Sequence, residues 1–196
     1  LMPHVPTGFR MPVIAYVVVI LAMGVAAVAH ALASGRGGVL AGALLDVSGF
    51  TNGTWGLSTA QFLGGGGGVI GNVTITNGTI APGSNAVGTL SFTNNLVLDG
   101  TTGLTTNRFE LTSPGTGDLI QVAGDLSFAG VVAMRVVPTG PSIPDGTYTL
   151  MKWGGNLTGD TSNMALEYPA QPGTFVLQTN LVAKEIRLVV SGVNPA

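Results

Sequence analysis

Ten short β-type runs follow one another from Val69 onward: VIGNVTI, GTLSF, LVL, RFEL, DLIQV, DLSF, VVAMRVV, TYTLMK, TFVLQT and EIRLVV. Between them stand Asn-Gly, Pro-Gly, Asp-Gly, Gly-Thr-Gly and Pro-Asp-Gly, all of which favour tight turns. No window of useful length has helical periodicity. A chain built this way folds as all-β, in a sandwich, a barrel or a solenoid. Asn, Thr and Ser recur at turn positions, as in TITNGTIAPGS and SFTNNLVLDG, where they can stack from one rung to the next. Charged residues are 8% of the chain and are scattered singly, against roughly 25% in ordinary domains. Both features favour a solenoid over residues 69–196, with ends that must be capped.

The amino-terminal part is of another kind. After a tail over residues 1–10, the 25 residues from Met11 to Gly35 contain no Asp, Glu, Lys or Arg. As a helix they would measure about 37 Å, longer than the roughly 30 Å hydrocarbon core of a bilayer. Pro12 suits a first helical turn, and Gly35, Gly37 and Gly38 supply a stop. The same stretch also reads as a signal peptide, with Arg10 before the apolar region and Ala29-His30-Ala31 or Ala31-Leu32-Ala33 as the cleavage site. The retained transmembrane helix over 11–35 is the reading adopted. Arg10 and Arg36 flank it and nearly cancel as orientation signals. Residues 36–68 read as a glycine-rich connector with one short amphipathic stretch near Leu40–Val47. The Gly64–Gly68 run lacks the Lys-Ser/Thr of a phosphate loop.

The composition narrows the chemistry. Seven Lys and Arg against nine Asp and Glu leave no basic field for nucleic acid. There is no cysteine, so disulfides, thiolate metal sites and thiol catalysis are excluded. The two histidines are His4 and His30, which excludes a Ser-His-Asp arrangement within the β-domain. Carboxylate pairs are conceivable at Asp118 with Asp125, or Glu110 with Asp118. The simpler role for Asp118 and Asp125, each following a glycine, is to orient turns. The GTGD stretch supplies a single Asp, too few for a calcium loop. Asn52, Asn72, Asn77 and Asn156 each begin Asn-x-Thr and read as turn or strand-edge residues. Trp55 and Trp153 read as packing residues. No catalytic residue is assigned, and the chain is read as no enzyme.

His30 sits inside the apolar stretch. It can snorkel to the interface, or it can act as a site, since an ionisable residue in a span is one by default. A neutral imidazole is a good axial ligand for haem iron or for chlorophyll magnesium. Ala26 and Ala27 precede it by four and three residues and leave room for a flat ring. The pattern AAVAH resembles the pigment-binding helix of bacterial light-harvesting polypeptides over Pro12 to Ser34. That resemblance implies His30 as the bacteriochlorophyll ligand, Ala26 beneath the ring, and a cytoplasmic amino terminus. The aromatic partners usual after the ligand are missing here.

A second resemblance covers more of the chain. Gly71 to Gly130, with GTIAPGSNAVGTL, FEL and DLIQVAGDLSFAG, resembles the autotransporter-associated β-strand repeat of bacterial surface proteins. GTYTLMKWGGNLTG continues the likeness to about residue 160. It implies a right-handed parallel β-helix, exported and without catalytic residues. The expectation is therefore an all-β, right-handed parallel β-helix preceded by one transmembrane helix, in a non-enzymatic envelope protein. Its amino terminus would lie in the cytoplasm and its β-domain in the periplasm or outside the cell. Its partners would be membrane lipids and other subunits of an oligomeric assembly, with no nucleic acid. The alternatives are a light-harvesting or electron-transfer subunit holding bacteriochlorophyll or haem on His30, and an extracellular filament subunit.

Overall fold

The computed structural model describes residues 38–50, 54–57 and 61–193. The transmembrane segment expected over 11–35, with Ala26 and His30, lies outside the described residues. Among the described residues no helix is long and apolar enough to cross a membrane.

The chain winds as a β-solenoid of about four turns. Strand β1 (Gly38–Asp46), β2 (Thr54–Leu57) and the first half of β3 (Phe62–Ile70) open it. The rest of β3 leads into β4 (Asn72–Thr76) and β5 (Thr79–Pro82). Three further sets of strands follow. They are β6 (Thr89–Phe92), β7 (Leu96–Gly100) and β8 (Thr106–Ser113); then β10 (Leu119–Val122), β11 (Leu126–Gly130) and β12 (Val132–Pro138); then β13 (Gly146–Trp153), β14 (Leu157–Thr158) and β15 (Met164–Glu167). A short β9 (Thr116–Gly117) turns back on β8.

Parallel pairing in register stacks like on like. Trp55, Val73, Leu96, Leu126 and Leu157 form one inward column, and Leu57, Ile75, Leu98 and Phe128 the next. On another side Leu90 lies on Ile120 and Ile120 on Met151. These residues belong to a single core. Each fully buried leucine or isoleucine contributes about 1.5–3 kcal/mol relative to exposure, so the columns replace the disulfides the chain lacks. One member breaks the pattern: Asn107 sits between Ile80 and Met134, fully buried.

The glycine-rich stretch is not the connector expected over 36–68. It contains β1, β2 and β3, so the solenoid already includes Gly38 and does not wait for Val69. Glycine is required because β3 is a shared central strand, lying between β1 on one side and β5 and β6 on the other. A Cβ on Gly64 would lie 2.6 Å from the Phe62 ring and 2.8 Å from the Ala81 carbonyl oxygen. One on Gly68 would lie 2.8 Å from a Leu44 methyl.

The carboxy-terminal end also departs from a uniform solenoid over 69–196. β17 (Glu185–Ser191) runs antiparallel to β13, and β16 (Thr174–Asn180) antiparallel to β17. Phe175, Ile186, Leu188 and Val190 of this hairpin are buried against the core. It caps the last turn, as an open rung requires.

Candidate functional site

Among the described residues, two polar constructions and a groove are candidates for a site. The first is a ladder at the entry to the side formed by β4, β7, β11 and β14. The Asn95 backbone N–H donates to Asn72 Oδ1 at 3.3 Å. The Asp125 N–H donates to Asn95 Oδ1 at 2.9 Å, and the Asn156 N–H to Asp125 Oδ1 at 2.7 Å. The steps are 23, 30 and 31 residues. Each side chain thus ties its own turn to the next. A glycine precedes three of the four residues. At Gly155 an added Cβ would sit 2.2 Å from Asp125 Oδ1, and at Gly124 2.4 Å from Asn95 Oδ1. The ladder oxygens occupy the space a side chain would need there.

The second construction is a clasp around Asp118, which is fully buried. Its Oδ1 accepts the Gly88 N–H at 2.8 Å and its Oδ2 the Glu110 N–H at 2.7 Å. The Asp118 N–H donates back to the Glu110 carbonyl at 2.8 Å. Arg108 Nη2 pairs with Glu110 Oε1 at 2.7 Å, while its Nη1 donates to the Ser84 carbonyl at 3.2 Å. Loop 83–88 is thereby fastened to β8. Burial pushes the Asp118 carboxyl up to about 6, against the two backbone N–H groups that favour the charged form. Glu110 adds to the rise and Arg108 opposes it. Glu110 Oε2 is buried with no hydrogen-bond partner in the fold.

A groove of about 300 Å³ runs between the ends of β12 and β15. Arg135 and Glu167 line it, joined at 2.7 Å, together with Tyr168, Pro138 and Pro169. Tyr168 stacks on Phe175 with centroids 4.3 Å apart and an interplanar angle of 13°. Gln171 bonds both the N–H and the carbonyl of Ile143, joining the loops that follow β15 and β12.

Glu110 and Asp118, one of the carboxylate pairs considered from the sequence, do come together. Both Asp118 oxygens accept backbone N–H groups, but of Gly88 and Glu110, 30 and 8 residues away, and Asp125 accepts that of Asn156, 31 residues away, so the two tie separate segments together rather than orient their own turns. Trp55 and Trp153 are packed in the core. Asn72 and Asn156 are ladder residues, and Asn77 holds a left-handed conformation with φ 60° at a turn. Asn52, His30 and Ala26 lie outside the described residues. Among the described residues no three His, Cys, Asp or Glu side chains gather as a metal site. Sequence reasoning missed Asn95 and Tyr168. The recurrence of Asn or Asp at steps of 30 and 31 residues carries the first signal, while Tyr168 has none.

No family model, curated protein or solved structure matches this sequence significantly.

Proposed function

We propose that this chain is a non-enzymatic, membrane-anchored bacterial envelope protein whose exported β-solenoid has a structural role in a larger assembly. The observation that carries this reading is where the polar side chains go. Asn72, Asn95, Asp125 and Asp118 are bonded to the protein's own backbone and brace the turns. A domain whose rung-to-rung side-chain bonds brace its own turns is built as a rigid spacer.

The polarity of the solenoid supports the anchor. The carboxy-terminal end is closed by the β16–β17 hairpin, while the first described strand lies close in sequence to the apolar stretch 11–35. The base would stand on the membrane and the capped end would point away. In this reading the winding is right-handed and residues 71–160 are kin to autotransporter-associated repeats.

A carboxy-terminal epitope on the full chain tests it. Protease added to intact spheroplasts should remove the epitope and leave a membrane-protected amino-terminal fragment. An epitope that survives until lysis would overturn the exported orientation. Complete release of the chain by alkaline carbonate would overturn the anchor.

A further inference from the structure

Among the described residues, six strands have one edge that pairs with no other strand: β1, β2, β9, β14, β15 and β16. Such edges template association with other chains, and proteins block them with shortness, charge, proline or bulges. Five of the six carry such a device, β9 through being two residues long. β1 has a register irregularity between Ala41 and Leu44, with Gly42 at φ 68°. β2 spans four residues and β14 two. β15 spans four and ends on Glu167.

β16 has none of these. Its sequence TFVLQTN carries no charge and no proline. It pairs with β17 over seven residues without a bulge. The nearest lysine, Lys184, is turned away, its Nζ donating to the Gly154 and Gly155 carbonyls. The charges of the neighbouring strand are also committed: Glu185 pairs with Lys152 at 3.1 Å and with Arg187 at 2.5 Å. Val176, on the outer face of β16, is 43% exposed, and Leu181 and Val182 at the hairpin tip are 69% and 98% exposed.

We propose that β16 is a homotypic docking edge, pairing antiparallel with β16 of a second copy of this chain. A two-fold axis normal to the sheet makes two identical edges antiparallel, and β16 already lies in antiparallel surroundings. The pairing would join the two capping hairpins into one continuous sheet. A neutral strand suits a copy of itself, because in any register no charged residue of one strand meets a charged residue of the other. It offers nothing to select a charged partner. The proposal does not depend on the membrane anchor.

Single-cysteine variants of the full chain, purified in mild detergent, test the proposal cleanly because the natural sequence has no cysteine. Val176→Cys, Gln178→Cys and an equimolar mixture of the two are treated with a short thiol-to-thiol cross-linker. Leu104→Cys, 55% exposed on the turn between β7 and β8, and Val182→Cys at the hairpin tip are controls. The β16 variants, singly or mixed, should give covalent dimer well above both controls. Val176→Lys introduced beside Gln178→Cys should reduce that dimer at least about tenfold, since like charges would face across the two-fold axis. Three results would overturn the proposal: no dimer from any β16 variant, control cross-linking as efficient as at β16, or a Val176→Lys chain that cross-links undiminished.

Discussion

Asp118 makes the fold sensitive to pH in an unusual direction. Most carboxylates stabilise a fold when ionised, whereas this one is raised by burial from 3.8 to about 6. Between those values the folded chain holds a proton that the unfolded chain has released. The stability this group contributes is fully present below about pH 4 and is lost as the pH rises through 6. The shift is about two units at 1.36 kcal/mol each, so the loss is about 3 kcal/mol. Asp118→Asn removes the titration. The amide still accepts one backbone N–H but sets its own NH₂ against the other, a constant cost of about 1–3 kcal/mol. Asp46, Asp99 and Asp160 are held low by local hydrogen bonds to Ser48, Thr101 and Ser162. Burial raises Glu185, but its bonds to Lys152 and Arg187 outweigh that and hold it low. These groups weaken the fold only as the pH falls through the acid range, and they do so equally in both proteins. Urea unfolding of the full chain in mild detergent, followed by Trp55 and Trp153 fluorescence from pH 4 to 7.5, isolates the difference. The advantage of the natural chain over Asp118→Asn should shrink by about 3 kcal/mol across that range. An advantage that stays constant would refute the reasoning, because it would mean the clasp does not desolvate the carboxyl.

The other predictions concern single turns and single pairs. Asn95→Ala frees the Asp125 N–H and should cost about 1 kcal/mol, seen in urea unfolding together with faster hydrogen exchange at Asp125. Asn107 has a buried, unpartnered Oδ1 and one long bond of 3.4 Å to the Ala133 carbonyl. Asn107→Val should therefore stabilise by about 1 kcal/mol, and a lower urea midpoint would contradict this. The two arginine pairs should behave differently. Arg135 and Glu167 are 50% and 39% exposed, so Arg135→Ala should change stability by less than about 1 kcal/mol. Arg108→Ala leaves Glu110, only 8% exposed, without its counter-ion and should cost about 3 kcal/mol.

The rungs were legible wherever apolar residues announce a strand. DLIQV, VVAMRVV, TYTLMK and EIRLVV coincide with β10, β12, β13 and β17. β3 was not legible because its core is five glycines, silent in any hydrophobic pattern. β5 ends on Pro82 and β14 has two residues, so neither stands out. The period was blurred because the early ladder step is 23 residues where later ones are 30 and 31. The antiparallel cap was hidden for another reason: TFVLQT and EIRLVV read as strands in either direction, and only the end of the stack decides how they pair. Of the site residues, Asp118 and Asp125 were legible through the glycine before each. The groove at Tyr168 depends on two distant loops meeting, which no local pattern encodes.

The central claim is that this solenoid stands on a membrane with its capped end outside the cytoplasm. Val182→Cys, 98% exposed at the tip of the cap, puts one thiol into a chain that otherwise has none. A membrane-impermeant maleimide applied to intact spheroplasts should label this thiol fully, and the labelled chain should stay in the membrane pellet after alkaline carbonate. Labelling that appears only after lysis, or a labelled chain found in the supernatant, would contradict the account.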